Sequence, residues 1–193
     1  MYREHFGLKI HPFDKDIGID ELFVSGASKE LELRLTHLID LRGIGLITGD
    51  VGSGKTTICR KVAAALHSGL FRVFYVPNST GNVMDLYKSI SWELGLPVER
   101  SRAALYRSIR GEVTRLGLES HVRPVLVVDE AHHLRSDVLE DLRLLTNYEM
   151  DSQSRLCLVL AGHPELRRRL GMAVHAALSQ RIIVRHHVLG LLP

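Results

Sequence analysis

One stretch constrains this chain more than any other. Gly49-Asp50-Val51-Gly52-Ser53-Gly54-Lys55-Thr56 matches the pattern GxxxxGK[ST] in full. An apolar run, Ile44–Thr48, precedes it and reads as a strand. Thr56–Leu66 follows it and reads as a helix closed near Ser68-Gly69. Glycines at this spacing let the backbone wrap the β- and γ-phosphates of a nucleotide without side-chain clash. The loop N–H groups then converge on an anion, helped by the helix N-terminus. Lys55 adds a point charge at the β/γ oxygens, and the Thr56 hydroxyl can ligate Mg²⁺. The expected nucleotide-binding residues are Gly49, Asp50, Val51, Gly52, Ser53, Gly54, Lys55, Thr56 and Thr57, for ATP with Mg²⁺.

The rest of the chain alternates between two periodicities. Helical spacing marks 28–42, Val83–Leu94, Arg102–Leu118, Asp137–Tyr148 with Ser136 as cap, Pro164–Leu170 and Ala173–Ser179. Arg72–Val76, Val125–Asp129, Leu156–Ala161 and Ile182–Arg185 read as strands. Strands alternating with helices give a mostly parallel sheet covered on both faces. Such sheets bind ligands beyond the carboxyl ends of their strands.

Val125-Leu126-Val127-Val128 runs into Asp129-Glu130. An apolar strand ending in two carboxylates is a weak signal alone and a strong one beside Lys55. In nucleotide hydrolases the first carboxylate holds Mg²⁺ and the second activates the attacking water as general base. Lys55 and Asp129 lie 74 positions apart, more than the roughly 30 residues of one β-α-β step. The gap therefore holds an extra strand and surplus helix. That is the layout of ATPases with an additional strand between the phosphate-loop strand and the acidic strand.

Downstream, Leu156–Ala161 ends in Gly162-His163-Pro164. His163 is the candidate for orienting the attacking water, and a helix-capping histidine is the competing reading. Arg181 precedes the last strand, where an arginine can reach a neighbouring subunit's γ-phosphate; Arg185 is the runner-up. His132-His133 and His186-His187 are adjacent pairs, expected not to face one site, so no metal beyond Mg²⁺ is expected. Cys59 and Cys157 read as packing residues, and Trp92 as core rather than a base-stacking platform. Arg102, Arg107 and Arg110 could grip a phosphate backbone. A solvated helix face laced with Glu112 and Glu119 is the other reading.

Composition narrows the class. The chain has 193 residues, enough for one domain with a real core. No apolar run approaches the roughly 18–20 residues of a membrane span. Two cysteines without a CxxC pairing exclude a disulfide framework and fit a reducing, cytoplasmic setting. Only six of the 25 basic residues are lysine. Arginine contacts phosphate bidentately, and a pI near 9.0 permits a nucleic-acid partner without demanding one.

Five segments, in order, resemble one family. They are Met1-Tyr2 with His5-Phe6-Gly7-Leu8 and Pro12-Phe13, the phosphate loop, Asp129-Glu130-Ala131-His132, Gly162-His163-Pro164-Glu165-Leu166, and Leu178-Ser179-Gln180-Arg181-Ile182. Together they resemble the ExeA-type AAA+ ATPases. These include secretion-pathway ATPases and the similar helpers of DNA transposition of TniB, IstB and TnsC type. The resemblance implies an α/β P-loop NTPase of AAA+ type. Its three-layer α-β-α sandwich would hold a five-stranded parallel sheet in the order 5-1-4-3-2. It implies roles for Lys55 and Thr56 at phosphate and Mg²⁺, Asp129 at Mg²⁺, Glu130 at water, and Arg181 as the finger. Phe6 and Phe13 would border the adenine. His163 stands where glutamine is common. Val83–Leu94 lies where the initiator-like branch carries a helix facing DNA.

The resemblance divides the chain into an N-terminal arm and helix, 1–43, and an ATPase core, 44–193. The helical lid of such ATPases, with a second sensor arginine, is missing after Pro193, so a truncated chain is expected. The expected function is an ATP-hydrolysing accessory protein of DNA transposition. It would bind double-stranded DNA as an ATP-dependent self-oligomer and recruit a transposase. The alternative is an ATPase of the general secretion pathway. A DEAH-type helicase would need two motor domains, more than 193 residues hold. Intact Lys55 and Glu130 argue against a non-catalytic module.

Overall fold

A computed structural model describes residues 2–8, 18–22, 25–77 and 82–190. Five strands form one parallel sheet: β1 (Ile44–Gly49), β2 (Phe71–Val76), β3 (Arg123–Val128), β4 (Cys157–Gly162) and β5 (Ile182–Val188). Their order is β2-β3-β4-β1-β5, the order the resemblance implies. The gap between Lys55 and Asp129 holds β2, but β2 lies at the sheet edge. The strand between β1 and β3 in space is β4, drawn from downstream.

The described residues hold eight α-helices, two before β1, α1 (Tyr2–His5) and α2 (Gly26–Leu41), and six between strands, α3 (Lys55–Ala65), α4 (Val83–Leu94), α5 (Arg102–Leu118), α6 (Ser136–Leu145), α7 (Pro164–Leu170) and α8 (Ala176–Arg181). Alternate strand residues point to opposite faces, which makes two cores. Leu46, Val76, Leu126, Val128, Leu158 and Leu160 pack under α4 to α8. Ile47, Val125, Val127, Val159 and Ala161 pack under α2 and α3, against Leu31, Leu35, Leu38, Ile58 and Val62. Cys59 and Cys157 lie in this second core, and burial pushes both thiols up to about 12, so they pack rather than react.

Local chemistry explains most boundaries. Ser25 and Asn82 accept hydrogen bonds from the N–H groups of Ser28 and Asp85 and start α2 and α4. Gly95 ends α4 at φ 72°, a backbone angle that suits glycine. Two expectations fail. Ser136 does not cap α6 but is its first residue, and its hydroxyl pairs with His175 Nε2 at 3.2 Å. Trp92 is not core: it stands 76% exposed on α4. Helical spacing gave it a face, but α4 buries Leu86, Tyr87, Ile90 and Leu94 instead.

Candidate active site

The parallel sheet carries the ends of β1, β3 and β4 to one edge, and the sequence-expected groups meet there. In the phosphate loop, Gly52 and Gly54 take φ of 76° and 90°, left-handed angles that cost side-chain-bearing residues energy. A Cβ on Gly49 would sit 2.6 Å from both Ser53 Oγ and the Val188 carbonyl, so this position must stay bare. Lys55 is buried, and its ammonium donates to the loop carbonyls of Gly49 (2.9 Å) and Asp50 (2.8 Å). Ser53 Oγ is buried with no hydrogen-bond partner. A charged lysine, an unpaired buried hydroxyl and a loop shaped by glycine fit a phosphate group.

Thr56 is the second residue of α3, the helix after the loop. Its hydroxyl donates to Asp129 Oδ2 at 2.6 Å, across the end of β4. Asp129 is 3% exposed. The same oxygen accepts from the Tyr75 hydroxyl at 2.9 Å, and Asp129 Oδ1 accepts from the Glu130 N–H at 2.9 Å. Burial, then the hydrogen bond to Asp129, pushes the Tyr75 phenol well above its ordinary value. A hydroxyl and a carboxylate in contact form the hard-oxygen pair that Mg²⁺ prefers.

Glu130 follows at φ 51°, a left-handed angle that turns the chain sharply off β3. Ala131–His133 then form one 3-10 turn. Gly162 lets this turn lie across the end of β4, since a Cβ there would come within 3.1 Å of the His132 N. Arg169 of α7 pins the turn, donating to the carbonyls of His132 (2.7 Å) and Leu134 (2.6 Å). Glu130 Oε2 lies 3.4 Å from His132 Nδ1 and 4.0 Å from His163 Nε2. Burial, then the neighbouring His133 and His163, holds His132 below its ordinary value of 6.5.

The expectation that His132 and His133 cannot face one site fails. The tight turn brings their ring centroids to 4.0 Å, and the His163 ring centroid lies 4.2 Å from that of His132. Ligand atoms of Glu130, His132 and His133 all lie within 4.8 Å of one another. His163 occupies the N-cap position of α7, but its side chain makes no capping hydrogen bond.

Other candidates lie elsewhere. Arg181 ends α8 at the start of β5. The register from Ile44–Ile182 to Gly49–Val188 puts it about 16 Å along the sheet from its own phosphate loop. Arg185 donates to the Ser179 carbonyl and hydroxyl. Arg102 forms a bidentate pair with buried Asp141, and Arg110 donates to the Leu144 and Asn147 carbonyls and lies over the Tyr148 ring. Arg107 is exposed. Phe6 is 70% exposed; Phe13 lies outside the described residues.

Sequence reading missed Tyr75 and Arg169. Tyr75 is adjacent to β3 only through strand pairing, Tyr75 opposite Val127, and Arg169 sat in a run of three arginines with nothing to single it out.

Comparisons with known proteins agree with this fold. The AAA domain family matches residues 39–170. General secretion pathway protein A of Aeromonas hydrophila is 37% identical over 194 residues, which cover 99% of this chain and 35% of that protein. The ATP-dependent target DNA activator B of Escherichia phage Mu is 28% identical over 121 residues, 62% of this chain and 35% of that one. The chain thus spans about a third of the length of these relatives. The fold of Cdc6p from Pyrobaculum aerophilum superposes with a TM-score of 0.68 at 20% identity, over 90% of this chain and 48% of that one. Motifs, sheet order and matches converge, and the chain belongs to the AAA family, among AAA+ ATPases of the ExeA-like and transposition-helper type.

Proposed function

We propose that this chain binds and hydrolyses ATP, with Glu130 as the general base. The observation that supports it is the convergence of Lys55, Thr56, Asp129 and Glu130 at one sheet edge, joined by the Thr56–Asp129 contact of 2.6 Å. Loop N–H groups and Lys55 bind the phosphates, Lys55 exchanging its two carbonyl partners for phosphate oxygens. Thr56 and Asp129 would hold Mg²⁺, which when bound neutralises charge on the β/γ oxygens. Glu130 takes a proton from the attacking water. Two groups that share one water stand roughly 4–5 Å apart. The 4.0 Å between Glu130 Oε2 and His163 Nε2 suits that sharing, so His163 orients the water that Glu130 activates.

Arg181 is too far along the sheet to serve its own loop, so it acts as a finger in a neighbouring copy within a self-oligomer. The oligomer binds double-stranded DNA, recruits a transposase and works in the cytoplasm. The match to a phage target DNA activator favours this reading. Of the arginines expected at DNA, Arg107 keeps an exposed position, while Arg102 and Arg110 are engaged internally.

A second reading is a secretion-pathway ATPase, favoured by 37% identity over 99% of the chain. DNA binding with and without a non-hydrolysable ATP analogue, across salt concentrations, separates the two. The helper binds better with the analogue and weakens as salt rises. No binding in either state supports the secretion reading.

A further inference from the structure

We propose that Glu130, His132 and His133 form a transition-metal site that captures the catalytic base, with Zn²⁺ as the fitting ion. The donor set is one carboxylate oxygen and two imidazole nitrogens, with water completing the shell, which suits Zn²⁺ far better than Mg²⁺. It is distinct from the all-oxygen pair Thr56 and Asp129.

Two observations carry the site. The first is spacing. Ligands about 2.0–2.2 Å from a tetrahedral zinc stand about 3.3–3.6 Å apart. Glu130 Oε2 and His132 Nδ1 are 3.4 Å apart, one ready-made edge. Exposed His133 is free to swing on its side-chain torsions to close the third position. The second is convergence: one ligand atom each from Glu130, His132 and His133, all within 4.8 Å of one another, on a turn that Arg169 holds through the His132 and Leu134 carbonyls.

Metal binding here would tie up the Glu130 carboxylate and the place of the attacking water, while leaving the phosphate loop open. Hydrolysis stops and nucleotide binding continues. That consequence rests on Glu130 being the base; the site itself does not.

The test uses the full chain in Mg²⁺ buffer without nucleotide, titrated with Co²⁺ as a spectroscopic probe and then with Zn²⁺. The expected result is one equivalent of four-coordinate Co²⁺, seen as an intense visible band that Zn²⁺ abolishes. His133→Ala weakens binding at least tenfold, whereas His37→Ala, at an exposed histidine elsewhere, leaves it unchanged. In a second arm, Zn²⁺ inhibits hydrolysis of MgATP by the parent but not its binding of a fluorescent nucleotide. His133→Ala keeps the zinc-free rate and needs at least tenfold more Zn²⁺ for inhibition. Equal metal binding by parent and His133→Ala overturns the site. So does a weak six-coordinate band that disappears with Asp129→Asn instead. A parent without hydrolysis would remove the proposed activity and leave the Co²⁺ result to decide the site alone.

Discussion

The Thr56 hydroxyl donates to Asp129 Oδ2 at 2.6 Å and ties the helix after the phosphate loop to the end of β3, with β4 between the two strands. Tyr75 holds the same oxygen from the edge strand at 2.9 Å. One carboxylate oxygen thus serves two hydroxyls, and a cation must take it from them. Thr56→Ala removes a ligand and should raise the Mg²⁺ concentration needed for half-maximal ATPase rate. Tyr75→Phe removes a competitor and should lower it. A Mg²⁺ titration of the two variants against the parent reads both shifts; parallel shifts would contradict this account of the carboxylate.

Lys55 is buried and paired only with loop carbonyls, a poor match for an ammonium that can reach phosphate. A hydrogen bond to a charged group is worth about 1.5–3 kcal/mol. Lys55→Ala should therefore weaken nucleotide binding roughly 10- to 150-fold, measured by titration with a fluorescent nucleotide. Unchanged affinity would sink the phosphate-loop assignment.

Arg102 and Arg107 sit on one helix with different surroundings. Arg102 pairs with Asp141, which also accepts from buried Tyr87. The Arg102 side chain is 58% exposed, so the pair contributes about 1 kcal/mol or less. Arg102→Ala should lower thermal stability slightly and leave the salt slope of DNA binding alone. Arg107→Ala should reduce that slope by about one unit without changing stability. The reverse pattern would move the DNA contact to Arg102.

His175 is buried, and burial followed by the Arg169 charge holds it below its ordinary 6.5. A histidine depressed in the folded chain binds protons more readily when unfolded. Stability contributed by the neutral ring is present above pH 6.5 and lost as pH falls through the lowered value. Thermal unfolding should show the midpoint dropping below pH 6.5. His175→Gln should flatten that part of the profile; an unchanged slope would show that His175 is not responsible.

What the sequence made legible follows from how local each feature is. The phosphate loop is contiguous, and its glycines fix backbone angles within a few residues, so Gly49 to Thr57 and α3 could be read directly. Strand order needed the family resemblance, because parallel neighbours such as β1 and β4 are far apart in the chain. Contacts between elements far apart in the chain were invisible: Tyr75 on Asp129, Arg169 on the 131–134 turn, and Ser136 on His175. His132 and His133 were misjudged because ideal strand or helix geometry was assumed where Glu130 turns left-handed. Trp92 was misjudged because hydrophobicity does not say which face of α4 has a partner.

The most direct measurement is ATP turnover by Glu130→Gln beside its nucleotide affinity. Glutamine keeps the shape and removes the base, so affinity should stay within about twofold while turnover falls on the order of 100-fold or more. Turnover equal to the parent's, with binding intact, would contradict the assignment of Glu130 and with it the hydrolytic site.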